Sequence, residues 1–249
     1  MPTIQNKLIR HQIFLERFAG TVANTMQKGI DRARDTAIAS IVTGVDNVDT
    51  KQLKDSLTNI INIEMEKALN EVIQLSGHEA DFNVRILRKE LEEVAEATQE
   101  NVLAALLNKP MPVGLADKGK NRKIEPAYNN FAEQTAGNII QPIRDAQVTG
   151  GDNLAAVETI AVLSAGLLAS RAKSLSRSSV VHSANTSKEE VYKANKEGIK
   201  KVEWVSVLDS NTTPFCSGQD GKLYEVGKGP RPPAHYNCRS ITQPVIDND

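Results

Sequence analysis

The sequence predicts a mainly α-helical protein: a helical N-terminal body followed by a small α+β C-terminal module. Before residue 200, apolar residues recur every three or four positions over long stretches, which is the period of an amphipathic helix. Aromatic residues make up only 4% of the chain, whereas large β-sandwiches depend on aromatic and β-branched side chains. After residue 200 the pattern changes to short alternating segments separated by Gly, Pro, Asn and Ser.

The composition is that of a chain that can bury a core and carries little net charge. Its 249 residues are enough for one large domain or two modest ones. The net charge of -1 excludes an overall basic nucleic-acid footprint, so any DNA contact has to be local. No apolar run approaches the roughly 20 residues of a membrane span, and no secretory signal is visible, so we expect no membrane partner and synthesis in the cytoplasm.

The N-terminal region, residues 1–108, is predicted to contain three helices. The first covers about forty residues, and Gly20 and Gly29 are weak points inside it. The second is capped near residue 50 and ends at Gly77. The third extends over about 83–108, because apolar residues again follow the helical period.

Residues 109–127 are predicted to be a loop or linker, because Pro and Gly interrupt the helical pattern repeatedly. The segment is also locally basic. Its cations could contact DNA phosphates, although such a run is usually a solvated loop. The four basic residues are Lys118, Lys120, Arg122 and Lys123.

Residues 128–200 are predicted to be helical again. A first helix is expected to be kinked or broken at Pro142. The next, 154–174, is apolar on most sides, and such a helix is either buried among others or lies in an interface. A further helix is expected over 176–197.

The final region, residues 201–249, is predicted to form a separate small β-rich module. A first strand places Val202 and Trp204 on one face, and Trp204 is expected to belong to the core of the module. Further short strands are expected over 223–226 and 240–245. So few short strands are not stable alone, which suggests a metal ion or a crosslink.

Both cysteines and one of the four histidines fall in this module. Cysteine and histidine are the usual ligands of tetrahedral zinc, and His235 and Cys238 can share one turn. Cys216 would arrive from a separate turn, and Asp209 or an outside group would be the fourth ligand. We therefore predict a structural zinc site at Cys216, His235, Cys238 and Asp209.

Other interpretations of the same residues remain open. Cys216 and Cys238 could form a disulfide, or they could be buried thiols with His235 bonded to a carbonyl. Cys216 could also be a nucleophile with His235 as its base. Neither an oxyanion loop nor an orienting partner is evident, so we do not expect an enzyme. Arg239 is expected to brace a turn by pairing with Asp209 or Glu225.

The order of residues in the tail resembles the C-terminal domain of the phage Mu F-like family of minor head (head morphogenesis) proteins. That family has a Trp on a strand, Asp-x-x-Thr, a Cys, a Gly turn and Pro-Pro-x-His-x-x-Cys-Arg. The matching residues here are Trp204, Asp209, Thr212, Cys216, Gly221, Pro232, Pro233, His235, Cys238 and Arg239.

The resemblance covers about residues 171–245. Upstream, Arg177, Ser178 and Asn185 are similar to the family's preceding segment. Asn211 stands where the family often has Arg, and Ser179 lacks the family's acid. The first 170 residues carry no motif of the family.

The resemblance implies a minor virion protein, made in the host cytoplasm and located inside the head or at the portal. It would bind the portal protein or the major capsid protein, act in head assembly and genome delivery, and have phage DNA as a further candidate partner. The long apolar helices also fit an oligomer. The alternatives are a DNA-binding accessory virion protein and a metal- or Cys-dependent hydrolase.

Overall fold

The computed structural model describes residues 4–42, 44–112 and 121–246. It is mainly helical and carries a small strand module near its C-terminal end, as the sequence predicts. The helices are α1 (Ile4–Ser40), α2 (Thr50–Leu87), α3 (Gln99–Asn108), α4 (Ile124–Thr149), α5 (Asn153–Leu163), α6 (Ala169–Ala194) and α7 (Pro214–Gln219).

The chain divides into two compact units, and each unit combines segments that are distant in sequence. Unit 1 consists of Met1–Ala19, Glu71–Ile124 and Leu175–Asp249. Unit 2 consists of Gly20–Asn70 and Glu125–Ser174. The sequence suggests four consecutive regions instead, because local patterns carry no information about which distant segments pack together.

The first helix is unbroken, and Gly29 has a packing role inside it. A Cβ atom at Gly29 would lie 3.2 Å from Cβ of Glu64 and 3.3 Å from the backbone of Ile61. Glycine therefore allows α1 and α2 to approach closely in unit 2. The same surface carries an ion pair, in which Arg32 Nη1 lies 2.6 Å from Glu64 Oε1.

The predicted end of the second helix at Gly77 is wrong, because α2 continues for another ten residues. Ala80, Val84 and Leu87 extend its buried face, and this burial outweighs the low helix propensity of one glycine. The third helix is correspondingly shorter. It begins at Gln99, after a non-helical segment that the sequence pattern assigns to a helix.

A tertiary contact explains that non-helical segment. Asn195 Oδ1 accepts from Ala95 N and Asn195 Nδ2 donates to Ala95 O, both at 2.8 Å. These bonds replace the intrahelical partners of the Ala95 peptide groups. Thr98 then caps α3, since its side chain accepts from the backbone N of Asn101.

The predicted linker is partly structured. Met111–Pro112 (β1) pairs with Asn121–Arg122 (β2) in an antiparallel ladder, and α4 begins at Ile124 rather than near residue 128. The basic residues Lys118 and Lys120 lie outside the described residues. Pro142 does not break α4, and its ring is buried.

One continuous helical segment, Asn153–Ala194, contains α5, a π-helical turn at Ser164–Leu168, and α6. It is long and apolar enough to cross a membrane by length and composition, with an 18-residue window of mean hydropathy 1.5 in which 22% of the residues are buried. Glu158 interrupts the apolar run, so the sequence shows no uninterrupted apolar stretch of that length. One such helix is weak evidence of a membrane span, and the expectation of no membrane partner stays a prediction.

The C-terminal module is a three-stranded antiparallel sheet made of β3 (Lys201–Val205), β4 (Leu223–Glu225) and β5 (Ile241–Val245), in the order β4-β3-β5. Val202 and Trp204 are both buried on one face of β3, as the alternation predicts. Val202 joins an apolar cluster of unit 1 that includes Leu87 and Tyr192.

From Leu175 onward α6 belongs to unit 1, and many of its buried side chains are polar. Ser183 Oγ donates to Val72 O at 3.0 Å, and Lys188 Nζ donates to Thr242 O at 3.1 Å. Small hydroxyl side chains allow neighbouring elements to pack closely around the helix, and their bonds to backbone carbonyls satisfy the buried polar groups.

Candidate metal centre

Three of the predicted ligands come together in the C-terminal module. The ligand atoms of Cys216, His235 and Cys238 all lie within 4.8 Å of one another. The two Sγ atoms are 3.7 Å apart, and Cys216 Sγ lies 3.0 Å from His235 Nε2. Both cysteines are buried free thiols, and His235 is half-buried. The three residues could therefore hold a metal ion.

The short helix α7 positions Cys216. Thr213 is its N-cap, since the Thr213 side chain accepts from the backbone N of Cys216, and Pro214 occupies the first turn. Thr213 Oγ1 also lies 3.0 Å from His235 Nε2. Thr213 is not among the predicted site residues, although a Thr-Pro pair is a start signal of a helix.

A tight turn positions His235 and Cys238 together. The backbone N of Cys238 donates to His235 O at 3.2 Å, and Asn237 adopts a φ of 65°. His235 Nδ1 lies 2.9 Å from Tyr236 O. Because a carbonyl can only accept, Nδ1 donates this bond, and Nε2 is the ring nitrogen on the side of the thiols.

Trp204 forms the floor of the cluster. It is fully buried and packs against Cys216 and Cys238. Its Nε1 donates to Ser206 Oγ at 2.8 Å, and that hydroxyl donates to Cys216 O at 2.8 Å. The predicted core role of Trp204 is confirmed, and Ser206 is a supporting residue that the motif did not reveal.

Asp209 is not brought into the cluster. Both of its carboxylate oxygens accept from Arg239, each at 2.6 Å, and this charge-assisted fork holds the pKa of Asp209 well below its usual range. The prediction of Asp209 as fourth ligand is therefore wrong for this arrangement, because its acceptor atoms are already used. The predicted pairing of Arg239 with Asp209 is confirmed.

The other motif residues shape the loops around the cluster. Thr212 Oγ1 accepts from the backbone N of Asp209 at 3.1 Å. Gly221 has a φ of +75°, and its N donates to Trp204 O at 2.9 Å. The peptide bond Pro232-Pro233 is cis. These residues therefore shape the backbone of the loops around the cluster.

Residues of α6 anchor the turn and the sheet. Arg177 Nη1 donates to Asn237 Oδ1 at 2.5 Å, and the backbone N of Asn237 donates to Ser178 Oγ at 2.9 Å. Further along, the backbone N of Thr242 donates to Asn185 Oδ1 at 3.3 Å. The upstream segment that resembles the family thus contacts the downstream motif directly.

The space beside the cluster is small. A cavity of about 10 Å³ adjoins Cys216 and His235, which is room for about one water molecule. A larger cleft of about 680 Å³ is lined by residues that include Glu16, Arg177 and Arg239, and neither cysteine lines it. The cleft and the small cavity share Val207, Asn211, Asn237 and Arg239, so the cavity beside Cys216 and His235 adjoins the cleft.

The basic segment that could contact DNA is described only in part. Lys123 Nζ donates to Asn108 Oδ1 at 2.9 Å, and Arg122 belongs to β2. Local DNA contact through this segment stays a prediction.

Comparisons of the chain with protein-family models, curated proteins and solved structures give no significant match. The fold and the site define a class: a mainly helical protein whose small strand module carries a buried cluster of two thiols and one imidazole. The resemblance of residues 171–245 to the phage Mu F-like family stays a prediction from the motif.

Proposed function

We propose that the protein is a minor virion protein of a bacteriophage, which associates with the portal or the inner capsid during head assembly. One observation carries the proposal. Arg177, Ser178 and Asn185, which resemble the family's upstream segment, are bonded to Asn237 and Thr242 in the downstream motif region. Residues that resemble the family's upstream segment thus bond to the loop that carries His235 and Cys238 and to the strand that follows it, more than 50 positions away, which supports a shared origin over chance matches.

We further propose that Cys216, His235 and Cys238 hold a structural zinc ion. Two ligands at about 2.3 Å from tetrahedral zinc lie about 3.8 Å apart, close to the observed Sγ–Sγ distance of 3.7 Å. A disulfide requires about 2.05 Å. The Cys216–His235 distance of 3.0 Å is a hydrogen-bond distance, so the imidazole would move outward by about half an ångström on binding.

The donor chemistry also favours zinc. Two thiolates and one imidazole select zinc over magnesium or calcium, which prefer oxygen ligands. The cluster supplies three ligands, one fewer than a closed structural zinc site, so a fourth ligand would come from outside the cluster. The ion would stabilise a module whose three short strands bury few side chains of their own.

The zinc proposal is tested by metal content and thiol titration of the purified protein. We expect about one zinc per chain, lost in Cys216→Ser, Cys238→Ser and His235→Gln. The matched control is His78→Gln, since His78 is an exposed histidine of unit 1. If no metal is found and both thiols titrate freely, the zinc proposal is wrong and the three residues only pack together. If neither metal nor free thiols are found, the two cysteines form a disulfide.

The virion proposal is tested on purified particles of the phage that encodes the chain. Quantitative mass spectrometry should find the protein in the particles at far fewer copies than the major capsid protein. Chemical crosslinking in the same particles should join it to the portal or major capsid protein. If the protein accumulates in infected cells but is missing from the particles, the proposal is wrong.

A further inference from the structure

The outward face of α5 and the following π-helical turn is apolar. Leu154, Val162 and Leu167 are 59%, 71% and 45% exposed. The opposite face of the same segment is buried, at Ala156, Ile160, Ser164 and Leu168. One side of the segment thus forms part of unit 2, while the other presents large apolar side chains to solvent, which soluble monomers normally avoid in a continuous patch.

Charge on this face is confined to two positions. Glu158 is the only charged residue in 153–170, and Lys173 follows at the other end of the same face. Both are exposed. Neither forms an ion pair or hydrogen bond with any described residue. The face therefore carries one acid and one base without partners, placed symmetrically about its middle.

The middle of the face carries the small residues Ala165 and Gly166 and departs from α-helical hydrogen bonding. It lies in the π-helical turn Ser164–Leu168, where Ala165 and Gly166 are exposed. A Cβ at Gly166 would meet nothing within 4 Å. Glycine disfavours a helix, and no described part of the chain uses the space it leaves. Irregular π turns of this kind recur at functional sites.

We infer that this face binds a second copy of the same chain, in an antiparallel pair of helices about a two-fold axis between Ala165 and Gly166. In that arrangement Glu158 lies opposite the partner subunit's Lys173, because both are about 11 Å from the axis. The symmetry forms this ion pair twice. Val162 packs beside the axis, and the small residues at the centre let the two helices approach closely.

The position of the charges favours a second copy over a lipid surface. Helices that lie on membranes carry basic residues along a polar face, beside an uncharged apolar face. Here an acidic residue, Glu158, lies among the apolar side chains and would have to leave water without a partner. Pairing with another copy supplies the missing base from the same sequence. This inference is independent of the proposed virion role.

The first test is the oligomeric state of the full chain by sedimentation velocity over a range of concentrations. The wild-type protein should be dimeric at micromolar concentration. Val162→Glu should weaken the dimer at least about 100-fold, since each subunit would bury an unpaired charge. Val148→Glu is the matched control, because Val148 is 86% exposed on α4 and lies outside the face.

The second test reverses the charges and does not depend on the apolar contact. Glu158→Lys and Lys173→Glu should each weaken the dimer about tenfold, since each places two like-charge contacts in the interface. The double variant should restore wild-type affinity. Circular dichroism checks that all variants are folded.

Several outcomes would overturn the inference. These are a wild-type protein that stays monomeric at all concentrations, equal effects of the two valine variants, or a double charge reversal that is no better than the single ones. Sedimentation of the monomer with phosphatidylcholine vesicles, lost in Val162→Glu, would assign the face to a lipid surface instead.

Discussion

Replacing His182 by glutamine should remove part of the acid sensitivity of this protein. His182 is fully buried in α6, where its Nε2 lies 3.2 Å from Leu106 O and therefore donates to it. Its Nδ1 has no hydrogen-bond partner among the described residues. Burial, and secondarily the nearby Arg231 guanidinium, lowers the pKa of His182 to about 3.

The sign and size of the effect follow from this pKa. The folded-state pKa lies below the ordinary value of 6.5, so the stability is fully present above pH 6.5 and is lost as the pH falls towards 3. At pH 4, protonation of His182 in the unfolded chain should cost about 3 kcal/mol relative to pH 7. Domains of this kind are stable by only about 5–15 kcal/mol, so this loss is readily measured.

The assay is urea unfolding at pH 7 and pH 4, followed by the fluorescence of Trp204, which reports on unit 1. His182→Gln keeps an N–H donor for the Leu106 carbonyl but cannot titrate. It should therefore lose about 3 kcal/mol less than the wild type between the two pH values. His78→Gln, at an exposed histidine of the same unit, should keep the wild-type pH dependence. Equal losses in His182→Gln and the wild type would refute the reasoning.

Two further predictions concern unit 1. Burial lowers the pKa of Lys188 to about 8, below the unfolded value of 10.5, so stability should rise by about 2 kcal/mol between pH 7.5 and pH 10. Lys188→Met should abolish this rise in denaturant titrations, and an unchanged rise would contradict the assignment. Gly229→Ala should cost about 3 kcal/mol, because its Cβ would overlap the Tyr224 ring at a φ of +80°. Gly221→Ala, at a φ of +75° with open space around it, should cost only about 1 kcal/mol. The melting temperatures of the two glycine variants are compared with that of the wild type, and equal losses would show that the contact with the Tyr224 ring is unimportant.

The helix content was predictable because the apolar period persists over many turns, whereas helix ends depended on tertiary contacts. Gly77 is a reasonable stop signal, yet the burial of Val84 and Leu87 carries α2 past it. The segment near Ala95 has a helical pattern, yet the side chain of Asn195 forms hydrogen bonds with both the N–H and the C=O of Ala95. Neither competing contact is visible in the local sequence.

The part of the candidate site that depends on residues close in sequence was predictable. His235 and Cys238 share a turn, so their proximity follows from spacing alone, and Cys216 was the remaining thiol. Asp209 was a poor choice as a ligand because Arg239, thirty positions away, binds both of its oxygens. The polar interior of α6 was also unpredictable, because the acceptor of Ser183 lies on a helix more than a hundred residues earlier.

Unit 1 is built from three segments that are distant in sequence, so it can be completed only late in translation. All segments of unit 2 have been synthesised by Ser174, but unit 1 still lacks its last segment, Leu175–Asp249. At about 5–20 residues per second, these residues take several seconds to appear. During that interval the apolar face of α2 that ends at Leu87 has no α6 to cover it. The nascent chain is therefore most exposed to aggregation late in synthesis, and slowing translation after residue 174 would lengthen the vulnerable period.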